Sequence, residues 1–358
     1  MVTRIPHASG TRQGFELMDR NERIVDFPPH VMEEIRRLIA PFSLRAYPEP
    51  EAFYERLAHW LGVPREALLL SAGADGAFRM IFEAFVKPGD EVVHAVPSYG
   101  MFPVYCDLAK AVSRPVAFGE DLSLPLEKIL DAITPKTKLV LLANPNQPIE
   151  RVYDEAECRQ LLAQCKRRGA ILVMDEAYHH FCDLTAMPLL KEYGNLVVVR
   201  TFSKAFGMAG LRLGFLVSSK ENVRRVEQFR PVYEAHSAAL AVGGYLLKND
   251  HLMREYVIQV KEARQFLREA IRGLQIPAYG EQGNSILVAF PREIPAAEAA
   301  AGLKKKGFLV SIPSTKPPLT NHLRITLGTL EQAQRFFAVF EEIARPAIAR
   351  NEVTKQSP

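Results

Sequence analysis

The sequence predicts an α/β protein: a large domain with a mostly parallel sheet covered by helices on both faces, and a smaller α+β domain after it. Three observations predict it. Short, mostly apolar runs at Ala170–Met174, Leu196–Thr201 and Leu213–Ser218 read as strands buried on both faces. They alternate with amphipathic helical stretches at Glu51–Leu61, Ala77–Phe85 and Asp154–Arg168, the rhythm of βαβ units. From about Leu246 that rhythm changes to one long charged helix, Asp250–Leu274, followed by short strands.

Taken in order, residues 1–41 form an N-terminal segment with a polar start and a helix at Pro28–Ile39, expected to pack with the small domain. The large domain is expected over 42–245. Its earlier strands are Ala67–Ser71, then Glu91–Ala95 after the turn Pro88-Gly89-Asp90, then Leu139–Ala143. The small domain, 246–350, carries strands at Ser285–Phe290, Phe308–Ile312 and His322–Thr326 and a final helix from Leu330. The polar residues 351–358 are expected to be a loose tail. In sheets of this kind ligands sit at the carboxyl ends of the strands.

Composition excludes several function classes. The 45 Lys and Arg against 41 Asp and Glu give a net charge of +4, scattered along the chain, so no nucleic acid partner is expected. No apolar run is long enough for a membrane span, and the N-terminus has no apolar signal core. The four cysteines show neither a CxxC nor a paired metal spacing. Side chains as close in sequence as Tyr178 to Cys182 do not ordinarily converge on one ion, so no metal is expected. The expected location is cytoplasmic, with the cysteines as reduced thiols.

Four strand ends carry polar residues where apolar ones would be ordinary. Asp175-Glu176-Ala177-Tyr178 follows an apolar strand, and its first carboxylate is either a cap or a functional acid. Ser203-Lys204-Ala205-Phe206-Gly207 follows Leu196–Thr201. Lys204 there is either a surface residue or a partly desolvated amine suited to Schiff-base chemistry. Ser203 and Arg212, eight residues past Lys204, offer a hydroxyl and a guanidinium to a phosphate. Ser71-Ala72-Gly73-Ala74-Asp75 is a strand-to-helix turn whose free amides suit an anion, or simply a turn. Asn144-Pro145-Asn146-Gln147-Pro148 holds amide side chains at the sheet edge. No Walker loop and no GxGxxG accompany them.

In this order the segments resemble the fold-type I pyridoxal 5′-phosphate (PLP) aminotransferases, especially the histidinol-phosphate aminotransferase branch. The likeness runs from about Met18 to Gly328 and is most specific in DEAY at 175–178 and FSKAFGMAGLRLG at 202–214. It implies a three-layer large domain, PLP as cofactor, and Lys204 as the lysine that holds it and then moves the proton. It implies that Asp175 pairs with the ring nitrogen, Tyr178 bonds the ring hydroxyl and Tyr99 stacks on the ring. Ser203, Arg212 and the amides of Ala74 and Asp75 would hold the phosphate, with Tyr47 reaching the site of a neighbouring subunit in a homodimer. Arg324 would bind the acidic group of an anionic amino substrate, and Asn21 and Arg20 lie in the segment matching the family's substrate lid. The second substrate would be a 2-oxo acid.

The chain departs from the family in two places. The usual NPNNPTG loop reads Asn144-Pro145-Asn146-Gln147-Pro148-Ile149-Glu150, so Gln147 takes the place of the asparagine that contacts the ring hydroxyl. Upstream of Arg324 the family's histidinol-phosphate enzymes carry an Arg-Pro pair, whereas here the residues are Ile312-Pro313. Lys316, Arg20 and Arg23 are the candidates for the missing charge. The alternative chemistry is PLP-dependent decarboxylation of a phosphorylated amino acid such as threonine phosphate, which shares these motifs. A binding or regulatory module of the same fold would be expected to lack Lys204 or Asp175 or to carry a fused DNA-binding domain, and both residues are present.

Overall fold

The computed structural model describes residues 11–39, 46–291 and 294–355, with the backbone alone for 346–355. The central sheet has seven strands in the order Leu68–Ser71, Gly214–Ser218, Leu196–Thr201, Ile171–Asp175, Thr137–Ala143, Glu91–Val96 and Val112–Ala117. Gly214–Ser218 runs antiparallel to both of its neighbours, and the remaining pairs are parallel. The parallel strands require helical crossovers. Gly214–Ser218 instead returns directly from Leu196–Thr201 through residues 202–213, as an antiparallel pair can. That return loop carries Ser203, Lys204 and Arg212.

The apolar runs fill both faces of the sheet. Val197 and Val199 pack under the helices Gly73–Phe85 and Met101–Ala109, while Leu196 and Val198 face Glu155–Arg168 on the other side. Each such Val or Leu contributes about 1.5–3 kcal/mol through burial. Helix Glu155–Arg168 opens on Asp154 with a complete capping box to Glu157 and closes on Gly169 in the left-handed region. Helix Gly73–Phe85 begins a turn earlier than its apolar pattern suggests, because Gly73 sits at φ 71 directly after the strand.

A second, antiparallel sheet follows in the order His322–Thr326, Ser285–Ala289, Ala278–Tyr279, backed by the helices His251–Gly273 and Leu330–Lys355. The N-terminal segment divides between the two bodies of structure. Glu16–Met18 pairs in parallel with Phe308–Val310. Helix Pro29–Ile39 instead packs on Ser237–Lys248, with Val31 and Ile35 as its buried face, which corrects the expectation for that part of 1–41. The final helix continues to Lys355, into the stretch expected to be a loose tail. Among the described residues no helix is long and apolar enough to cross a membrane.

Candidate active site

Asp175 closes the central strand Ile171–Asp175, so its side chain emerges at the carboxyl edge of the sheet. One carboxylate oxygen accepts the N–H of Ala177 at 3.0 Å, and the residue is buried. Burial pushes its carboxyl up to about 7, against the Ala177 N–H; Asp75 adds to the rise and Lys204 opposes it. On the adjoining strand, Leu196–Thr201, the chain runs on into Lys204. The Lys204 ammonium lies 5.3 Å from the centre of the Tyr178 ring and donates to the carbonyl of Arg20 at 3.3 Å. The Tyr178 hydroxyl accepts from Asn21 Nδ2 at 3.2 Å. Asp175, Tyr178 and Lys204 line one cavity of about 460 Å³, together with Tyr99, Gln147, Ser203, Arg212 and Arg324.

One end of this cavity is an anion cradle. The first turn of helix Gly73–Phe85 lines it through Ala74 and Asp75, where a helix leaves its amides without intrahelical partners. Strand Gly214–Ser218 comes so close that a Cβ at Gly214 would lie 2.5 Å from the carbonyl carbon of Gly73 and 2.9 Å from the nitrogen of Ala74. The Arg212 guanidinium crosses Gly73, where a Cβ would meet Nη2 at 2.6 Å. Arg212 donates to Ser203 Oγ and to Asp75 Oδ2, each at 3.4 Å. Asp75 also accepts the hydroxyls of Tyr99 at 2.5 Å and Tyr105 at 3.0 Å, and burial together with Asp75 pushes both phenols up. Residues 74, 75, 99, 203 and 212, picked out in the sequence, thus converge here.

The residues present fit PLP. The cradle offers amides, a hydroxyl and a guanidinium to a phosphate. Asp175 is a buried acid that forms no ion pair with a described residue, so a protonated ring nitrogen would supply the partner it lacks.

The other end is built differently. Arg324, on His322–Thr326, donates through Nη2 to the Asp19 carbonyl at 2.6 Å, while its Nε is buried with no partner. Among the described residues it has no carboxylate at ion-pair distance, and burial pulls its pKa below the usual arginine value. A buried guanidinium without an anion is prepared to accept one. Asn21 is held at φ 54 by Thr326, whose hydroxyl donates to its Oδ1 at 3.1 Å and accepts its N–H at 2.9 Å. Gln147 borders the cavity, yet its amide is engaged elsewhere: Nε2 donates to Glu150 at 3.1 Å and Oε1 accepts from Ser285 at 3.0 Å.

The candidates for the missing charge do not converge on the cavity. The Arg20 side chain points to Asp19 at 3.6 Å and is half exposed; its backbone carbonyl, not its guanidinium, reaches Lys204. Arg23 is clamped between the rings of Phe27 and Tyr256, 4.2 Å from each centroid. Lys316 is exposed, and Ile312 is 40% exposed beside Pro313, which lines the cavity. Tyr47 lies outside this cavity, stacked on Tyr233 at 4.1 Å and 74% exposed. Glu150, Asn284 and Ser285 were not picked out as site residues. Their partners are mostly backbone groups far along the chain, for which a sequence carries no side-chain signal; the replacement of the family's glycine by Glu150 was the one visible trace.

Residues 17–340 match the family model for aminotransferase class I and II. A histidinol-phosphate aminotransferase from Thermoanaerobacter pseudethanolicus is 31% identical over 317 residues, 88% of this chain and 89% of that one. Histidinol-phosphate aminotransferase 1 from Carboxydothermus hydrogenoformans is 32% identical over 329 residues, covering 91% and 92%. The crystal structure of the histidinol-phosphate aminotransferase from Sinorhizobium meliloti, in complex with PLP, superposes with a TM-score of 0.81 at 22% identity, covering 92% of this chain and 91% of that one.

Proposed function

Since this chain belongs to the class I and II aminotransferase family, we propose that its chemistry is carried by Lys204 and Asp175, which reach one cavity from the ends of neighbouring strands. The protein is a PLP-dependent aminotransferase that moves an amino group between an amino substrate and a 2-oxo acid. PLP supplies an electron sink for the charge that develops at the substrate Cα.

The residues do the rest. Asp175 would hold a proton on the ring nitrogen. Tyr178 would donate to the ring hydroxyl, and Tyr99, which lines the same cavity, would flank the ring. Ser203, Arg212 and the amides of Ala74 and Asp75 would hold the phosphate. Lys204 would anchor the cofactor, and its amine is the group that would take up and return the proton at the substrate Cα. Gln147 borders the ring side. The observation that carries this reading is the placement of Lys204 and the otherwise unpaired acid Asp175 on one cavity whose far end is an anion cradle. A protein purified with PLP should absorb in the visible and lose that band on adding an amino donor. No change of spectrum with any amino donor would refute the assignment.

The substrate reading rests on Arg324, a buried guanidinium without a carboxylate. It suits a donor with one acidic group: an amino acid or a small amino phosphate. Asn21 orients Tyr178, and Arg20 contributes its carbonyl near Lys204. The named relatives favour transamination over decarboxylation of a phosphorylated amino acid. Histidinol phosphate, named for them, is one candidate here, but Ile312 offers it no second cation. A panel of histidinol phosphate, aromatic amino acids and phosphoserine, with products identified by mass, decides among them.

We read the chain as a homodimer in which Tyr47 reaches the neighbouring site, a reading supported by its exposure and outward stacking on Tyr233. Sedimentation at micromolar concentration checks it. A large domain at 42–245 and a small domain at 246–350 is our reading, supported by the separate seven-stranded and three-stranded sheets. Four buried, unpaired cysteines support a reducing, cytoplasmic setting.

A further inference from the structure

The loop after Thr137–Ala143 ends in Glu150, whose carboxylate faces the turn before Ser285–Ala289 in the second sheet. Oε2 accepts the N–H of Gln282 at 2.6 Å and that of Glu281. Oε1 accepts the N–H of Gly283 at 2.7 Å and the Gln147 amide at 3.1 Å. Three consecutive backbone amides thus converge on one carboxylate, an anion nest filled by a side chain from the other sheet's loop. Gly283 has no Cβ to intrude: one would lie 2.3 Å from Gln147 Nε2 and 2.7 Å from Glu150 Oε1. Gln147 adds a second tie through the Ser285 hydroxyl at 3.0 Å. Behind the turn, Arg264 donates to the Gly283 carbonyl at 2.6 Å.

The turn leads directly into the substrate end of the cavity. Asn284, fully buried, donates to the carbonyl of Asn21 at 3.0 Å, and Asn21 donates to Tyr178. Ser285 is in register with Thr326, which holds Asn21, and Leu287 is in register with Arg324. A chain of contacts therefore runs from Glu150 through 281–285 to Asn21 and on to Tyr178.

We propose that Glu150, with Gln147, is a positioning pair: it pins the 281–283 turn to the cofactor-side loop and so sets where Arg324 and Asn21 stand relative to Lys204. This rests on the reading that Arg324 meets the substrate's acidic group. A lost clasp loosens substrate binding while the phosphate cradle, at the opposite end, keeps its cofactor.

The test uses the purified holoenzyme with Glu150→Ala, Glu150→Gln, Gly283→Ala and, as a control on the underlying reading, Arg324→Gln. The visible band, the melting temperature, and KM and kcat for the best amino donor are measured for each. Glu150→Ala and Gly283→Ala are expected to raise KM about tenfold or more with the visible band retained and kcat within about threefold of wild type. Glu150→Gln, which keeps an acceptor oxygen, should recover part of the loss. If Arg324→Gln raises KM and the Glu150 and Gly283 variants change only the melting temperature, Glu150 is merely structural and the proposal is overturned. If Glu150→Ala loses the cofactor band, the clasp serves the cofactor end and the proposal is overturned equally. If Arg324→Gln itself leaves KM unchanged, the reading of Arg324 fails first, and the proposal with it.

Discussion

The two ends of the cavity are made of different material. The cradle end draws on strand ends and a helix start of a single sheet, and its groups satisfy one another: Arg212 with Ser203 and Asp75, Asp75 with Tyr99 and Tyr105. The substrate end collects Asn21, the 147–150 loop, the 281–285 turn and Arg324 from distant parts of the chain, and leaves a guanidinium nitrogen without a partner. On the proposed reading the difference matches what each end would do: a constant phosphate would be served by backbone amides fixed by the fold, a choice among substrates by side chains on loops.

The comparison can be broken most forcefully at the shared centre. Lys204→Ala should lower kcat by about a thousandfold or more, since on the proposed reading it removes the group that moves the proton. A residual rate within tenfold of wild type would leave Lys204 a bystander. Asp175→Asn should cost about a hundredfold or more through loss of a preorganised charge.

Asp175 also makes a prediction about pH. Its carboxyl, raised from 3.8 to about 7 by burial, binds a proton more tightly in the folded chain than in the unfolded one. Its stabilising contribution is therefore complete below about pH 4 and lost as pH rises through about 7. In the cofactor-free protein, the melting temperature should fall between about pH 5 and pH 8 more steeply for wild type than for Asp175→Asn. Parallel curves would contradict the burial argument.

At the substrate end, Arg324→Gln should raise KM by about ten- to a hundredfold, the range for a charged hydrogen bond of about 1.5–3 kcal/mol. Cofactor affinity should hold, because the cradle does not touch this residue. A gain is expected from Ile312→Arg, which restores a cation beside Pro313: kcat/KM for histidinol phosphate should rise relative to aromatic amino acids. An unchanged ratio would separate Ile312 from specificity. The smallest effect belongs to Tyr47→Phe, expected to weaken PLP binding only a few-fold, about 0.5–1.5 kcal/mol for one hydrogen bond.

The same contrast explains how much could be read in advance. Leu196–Thr201 is legible because the strand, buried on both faces, opens with the unbroken apolar run 196–199. Val112–Ala117 was not, because an edge strand keeps its outer side chains in water and tolerates Pro115. At the cradle end, Ser203, Lys204 and Arg212 stand close together in one return loop, so their spacing carried the pattern. At the substrate end, Glu150 meets amides more than a hundred residues away, and Gln147 turns toward Ser285, neither of which leaves a local mark. Arg23 looked available as a charge, yet its aromatic clamp is a feature of packing alone.

The central claim concerns one nitrogen atom. Treating the PLP-loaded protein with borohydride, digesting it and mapping the pyridoxyl label by mass spectrometry tests it directly. The account predicts the label on Lys204 alone, in the peptide that also contains Ser203 and Phe206. A label on any other lysine, or none at all, would contradict it.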